Sequence, residues 1–117
     1  MAAEKSVVWL TGESVKSPPF SQEARLEAGY LIWRLQNGEL LTLPYSRPMP
    51  LIGKLCYELR IQDKDVTWRI IYRIDQDAIV IVMFFKKKTP TTPKNVVATS
   101  KRRLKEYDDG CKKAEKD

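Results

Sequence analysis

A chain of 117 residues that is 43% hydrophobic and 31% charged is long enough for one domain with a modest core, and too apolar to be disordered throughout. No stretch reaches bilayer length, and only four apolar residues, Val7 to Leu10, follow the polar N-terminus. Neither a membrane span nor a signal peptide is expected, and the cytoplasm is the expected compartment. Cys56 and Cys111 lack CxxC spacing and there is no histidine, so two free thiols and no zinc or other cofactor are expected. The net charge of +6 is uneven: residues 1–85 hold ten basic and ten acidic side chains, whereas residues 86–117 hold eleven and five. Such asymmetry points to a polyanion or an acidic partner, or to a solvated Lys-rich helix.

In chain order, Val7-Val8-Trp9-Leu10 reads as a short buried strand closed by Thr11-Gly12. Pro18-Pro19 breaks the chain before a helix capped by Ser21 and ended at Asn37-Gly38, with Ala24, Ala28, Leu31, Ile32 and Leu35 as its apolar stripe. Pro44, Pro48, Pro50 and Gly53 make residues 39–53 a loop with at most an edge strand. Three strands follow: Leu55 to Gln62 and Val66 to Ile74, both alternating, and Ala78 to Phe85, apolar throughout and so covered on both faces. Lys64-Asp65 and Gln76-Asp77 are short enough for antiparallel hairpins. A last helix is expected with Thr92 as N-cap and Pro93 at its first position, ending near Asp109-Gly110, with residues 112–117 as a disordered tail. The order predicts a single α+β domain over 1–117: a small, twisted, mainly antiparallel sheet packed on the N-terminal helix, with a basic C-terminal helix.

The alternating strands constrain the chemistry. A two-residue loop at Lys64-Asp65 sets Arg60 opposite Arg69 and Glu58 opposite Ile71, with Arg73 further along the same face. Like charges directly opposite are unfavourable, so this face reads as an anion site, or else as a solvated surface where arginines splay apart. Lys86, Lys87 and Lys88 end the apolar strand, where lysines also serve as gatekeepers against aggregation. On a helical wheel Val97, Ser100, Leu104, Tyr107 and Cys111 form the packed side of the last helix. Lys94, Lys101, Arg102, Lys105 and Lys112 fall largely on the other, so sheet and helix cations are expected to line one groove. Without histidine there is no ready base at neutral pH, since lysine titrates near ~10.4 and arginine higher. Glu58 is the one carboxylate on the face, and the cations beside it weaken it as a base. Electrostatic stabilisation by Arg60, Arg69 and Lys87 is the expected main effect, with Glu58 as base or as a partner that orients Arg60.

Pro50-Leu51-Ile52-Gly53-Lys54-Leu55, Tyr57-Glu58-Leu59-Arg60 and Trp68-Arg69-Ile70-Ile71-Tyr72-Arg73 resemble the core signature of RelE/HigB-like toxins. Phe84-Phe85-Lys86-Lys87-Lys88-Thr89, followed by Thr92-Pro93-Lys94, resembles the phage-derived branch, and the likeness runs from about Val7 to Tyr107. The resemblance implies a RelE-like fold and ribosome-dependent, metal-free mRNA cleavage. It also implies a helix-turn-helix antitoxin, HigA-like, with DNA bound only through the antitoxin complex. By position it carries over Arg60, Arg69 and Lys86 or Lys87 as functional cations, with Glu58 where RelE itself has a lysine and the phage-derived branch usually a glutamate. Taken with the charge pattern, the expected catalytic residues are Arg60, Arg69, Lys87 and Glu58, and the expected RNA contacts are Lys54, Arg73, Lys86, Lys88, Lys101, Arg102 and Lys105. Two features depart from the family. Many relatives carry a His or Tyr near the C-terminus, where this chain offers only Tyr107, and Val96, Ala98 and Arg103 stand where the branch often has Glu. The superfamily also holds ParE-like gyrase inhibitors, so a non-enzymatic binder, or a decayed toxin that only binds its antitoxin, is the competing expectation.

Overall fold

The computed structural model describes residues 4–11, 20–87 and 92–116. It contains β1 (Ser6–Trp9), α1 (Gln22–Gln36), β2 (Ser46–Pro48), β3 (Cys56–Asp63), β4 (Val66–Ile74), β5 (Ala78–Lys87) and α2 (Lys94–Lys116). The strands form one five-stranded sheet in the order β1-β5-β4-β3-β2. The sheet is mixed: β3, β4 and β5 form an antiparallel meander, β2 adds antiparallel to β3, and β1 pairs parallel with β5. The central position of β5 explains its unbroken apolar run, because Ile79 and Ile81 enter one core while Val80 and Val82 enter the other.

α1 closes the first core. Ser21 caps it, its hydroxyl accepting from the Ala24 N–H at 3.1 Å, and Gly38 (φ 91°) takes the left-handed turn that ends it. Ala24, Ala28, Leu31, Ile32 and Leu35 are buried against Leu59, Ile61, Ile70, Tyr72 and Phe20. Each buried Leu or Ile contributes about 1.5–3 kcal/mol. The turns Thr11-Gly12 and Pro18-Pro19 include positions outside the described residues.

α2 covers part of the opposite face through Val96, Ser100 and Leu104. Val82 is the extra residue of a β-bulge, since Ile71 pairs with Met83 and Tyr72 with Ile81. Its carbonyl accepts from Arg103 Nη1 at 2.8 Å, tying α2 to the sheet.

Several boundaries differ from expectation: β1 lies one residue earlier, β3 and β5 run on to Asp63 and Lys87, and three further shifts have a clear local cause. β3 begins at Cys56, because Leu55 adopts a left-handed backbone (φ 59°) that turns it outward, 56% exposed. α2 begins one residue later than predicted: the Val96 and Val97 N–H groups bond to the Pro93 carbonyl, so Thr92 lies outside the helix. Gly110 does not stop α2. Its φ stays negative and the helix continues to Lys116, through most of the segment expected to be a tail. One glycine costs a helix only about 1 kcal/mol, and helix-forming residues flank it here.

Candidate nucleic-acid interface

The register places Arg60 opposite Arg69 and Glu58 opposite Ile71, as the hairpin length predicts. Burial is what the strand pattern does not convey. Glu58 has no exposed surface and Arg69 only 6%. Glu58 Oε1 accepts from Arg69 Nη1 at 3.3 Å and from Arg47 Nε at 3.1 Å, while Thr92 Oγ1 lies 3.4 Å from both Glu58 Oε2 and Arg47 Nη2. The face expected to be an open row of arginines is therefore organised around an internal carboxylate.

Arg69 remains incompletely satisfied. Its Nε is buried and has no hydrogen-bond partner among the described residues. Burial pulls the Arg69 guanidinium below its ordinary range. Glu58 opposes that shift, and the neighbouring Arg60 and Arg47 reinforce it. Glu58 thus pairs with two arginines, while Arg60, which lines an edge pocket with Glu27, Pro44 and Tyr45, adds its charge near Arg69. This excess of cations favours a further anion.

Arg47 and Thr92 are the members that strand and helix patterns alone do not reveal. Arg47 lies on β2, a three-residue edge strand inside a proline-rich loop, directly opposite Glu58. The available signal was Pro48, which holds the preceding residue extended and is tolerated at a sheet edge. Thr92, expected to cap the helix, instead bonds to Glu58.

Beyond Thr92 a basic groove follows α2. Its first part, about 310 Å³, is lined by Leu51, Thr92, Lys94, Val97, Ala98 and Lys101. Lys101 also lines the second part, about 600 Å³, where Lys54, Arg73, Lys105 and Lys112 outnumber Asp108 and Asp109. The groove thus brings together Lys54, Arg73, Lys101 and Lys105. Arg73 is bound at both ends, to Asp75 (2.7 Å) and Asp108 (2.7 Å), which hold its guanidinium above the ordinary range, Asp108 most strongly. Lys105 pairs with Asp109 at 2.8 Å, but is 77% exposed and easily exchanged.

Other expected residues lie elsewhere. Lys86 is opposite Trp68 and its Nζ sits 5.6 Å from that ring's centroid, on the α1 face of the sheet, so it does not join Glu58 and Arg69. The cause is strand parity: alternate residues of β5 point to opposite faces. Arg102 pairs with Glu106 on the exposed side of α2, outside the groove. The Lys87 backbone pairs with Thr67, while its side chain and the whole of Lys88 fall outside the described residues. Tyr107 is half-buried near Asp75 and Asp77, at the β4–β5 turn. That turn is roughly 20 Å along an extended strand from Arg69. Among the described residues no group of three or more His, Cys, Asp or Glu stands where it could hold a metal ion, and no helix is long and apolar enough to cross a membrane.

Fold and site together define a small α+β protein with an arginine-rich sheet face that opens into a basic groove. The chain belongs to the family of phage-derived Gp49-like proteins (DUF891), whose pattern matches residues 19–105. No curated protein and no solved structure matches it significantly.

Proposed function

We propose that this chain is the toxin of a toxin–antitoxin pair, of the RelE/HigB-like kind and its phage-derived branch. On this reading it is a ribosome-dependent mRNA endoribonuclease, neutralised by a helix-turn-helix antitoxin. Its membership of the Gp49-like family, which is associated with RelE-like toxins, supports the class. The observation that carries the chemistry is Arg69, buried beside Arg47 and Arg60 with its Nε unbonded among the described residues. A phosphodiester is an anion of the right size and charge for such a cluster.

In this reading the ribose 2′-oxygen attacks the adjacent phosphorus and the bond to the 5′-oxygen breaks, leaving a 2′,3′-cyclic phosphate and a 5′-hydroxyl. Arg47, Arg60 and Arg69 meet the charge that builds on the phosphorane. The 2′-proton leaves to water and the 5′-oxygen takes one from water. Glu58, buried and bonded to two arginines, holds the cations in place rather than accepting the 2′-proton. The groove along α2 carries the flanking RNA, with Lys54, Lys101 and Lys105 against its phosphates.

Single-turnover cleavage of mRNA on programmed ribosomes tests the proposal. Arg60→Gln and Arg47→Gln are each expected to lower the rate by about 10²–10³-fold with the fold retained. Wild-type protein that leaves the mRNA intact, or both variants cleaving within about threefold of wild type, would refute it.

A further inference from the structure

α1 presents two unlike faces. Opposite the buried stripe, Leu26, Tyr30 and Trp33 are 68%, 57% and 52% exposed. At the helical repeat these three fall with Gly29 into one arc facing away from the sheet. The Tyr30 and Trp33 rings stack with centroids 6.1 Å apart, and Arg34 lies 5.6 Å from the Tyr30 centroid, so the side chains form one continuous ridge.

Gly29 supplies the second observation. It is exposed in the middle of a helix, its φ is negative, and an added Cβ would meet nothing within 4 Å. Neither backbone conformation nor packing within the chain requires glycine here, and glycine is the poorest helix former after proline. What the missing side chain provides is a notch beside the ridge, where another backbone can approach closely.

We infer that α1 is a self-association surface on which a second copy of this chain lies antiparallel. A two-fold axis normal to α1, passing between Gly29 and Tyr30, sets each Tyr30 ring over the other copy's Gly29. The same axis sets each Leu26 against the other copy's Trp33. The ridge is therefore complementary to itself, as a two-fold interface requires. Charge favours the same arrangement. The positive excess lies in residues 86–117, whose helix covers the opposite face of the sheet, whereas in α1 Glu23 and Glu27 balance Arg25 and Arg34. Two copies joined through α1 turn α2 and the basic groove along it outward.

Sedimentation equilibrium of the full chain tests this without reference to RNA cleavage. A dimer that forms between about 5 and about 200 µM is expected, and Trp33→Glu should weaken it at least ~10-fold. Gly29→Leu separates assembly from folding. Leucine fills the notch and should weaken the dimer by ~10-fold or more, while raising the thermal midpoint of the monomer by a few degrees. Wild type that stays monomeric at about 200 µM overturns the inference and assigns the ridge to a different protein chain. Gly29→Leu that dimerises as wild type does overturns it as well.

Discussion

Glu58 and Arg69 are diagonal neighbours on β3 and β4, buried together with Oε1 3.3 Å from Nη1, and this pair decides what either residue can do. An arginine on the polar face of an alternating strand is ordinarily dispensable for folding. This one is not, because its removal takes one of two bonded arginines from a carboxylate with no exposed surface. Arg69→Ala is therefore expected to destabilise the protein by about 3–5 kcal/mol, in the range for breaking a buried ion pair. Glu58→Gln keeps an amide oxygen for the arginines and should cost less, about 1–3 kcal/mol. Urea denaturation of both variants measures the difference, and equal, negligible losses would contradict the burial of this pair.

Arg47 separates function from stability. Its side chain is 35% exposed on the edge strand and its loss leaves Arg69 on Glu58, so Arg47→Ala should cost less than Arg69→Ala, about 1–3 kcal/mol. Cleavage should nevertheless fall by about 10²-fold or more, because the variant removes one of the three cations facing the proposed phosphate. Rate and urea midpoint, measured on the same preparation, give the contrast.

Salt dependence tests the groove. Removing a cation that neutralises one phosphate should reduce the slope of log K against log salt by about 0.7 for single-stranded RNA. Lys54→Ala and Lys101→Ala should each do so, because both line the groove along α2. Arg102→Ala should change the slope little, since that residue pairs with Glu106 on the far side of the helix. Fluorescence anisotropy with a labelled oligonucleotide at several salt concentrations distinguishes the three.

The acid and alkaline limits of stability have identifiable sources. Hydrogen bonds from Ser21 and Trp68 hold Asp63 below the ordinary aspartate range, and Arg73 does the same for Asp108. A depressed carboxyl stabilises the fold fully above its unfolded value, near ~3.9, and the benefit is lost as pH falls through the folded value. These two groups should therefore leave the urea midpoint flat from neutrality to about pH 5 and lower it below about pH 4, and Asp63→Asn should flatten that acid limb. Burial pushes Tyr72, whose hydroxyl lies 2.6 Å from Ser46 Oγ, up to about 12. A raised phenol stabilises the fold below its unfolded value, near ~10, and that contribution is lost as pH rises through the folded one. Tyr72→Phe should remove this alkaline loss.

The attachment and length of α2 can be probed from both ends. Arg103→Met removes the bond to the bulge carbonyl of Val82 and should cost about 1–2 kcal/mol. Gly110→Ala, at an exposed helical site where an added Cβ meets nothing within 4 Å, should instead stabilise by about 0.5–1 kcal/mol. A loss of stability in Gly110→Ala would show that the helix ends before that residue.

Local pattern by itself determined much of this protein. The period-2 runs of β3 and β4, joined by the two-residue Lys64-Asp65 loop, dictated that Arg60 faces Arg69, because hairpin length sets parity. The unbroken apolar run of β5 announced a strand covered on both faces, and the spacing of Ala24, Ala28, Leu31, Ile32 and Leu35 announced how α1 packs. Tertiary structure alone decided the site. Arg47 reaches Glu58 only because β2 folds back along the sheet edge, and Thr92 joins them because α2 starts beside that edge. Lys86 is taken to the far face by the parity of β5, and Arg73 is claimed by Asp108, 35 residues further along the chain. Periodicity reports which side of an element a residue occupies. Which residues meet there, and whether water reaches them, depends on contacts between segments distant in sequence.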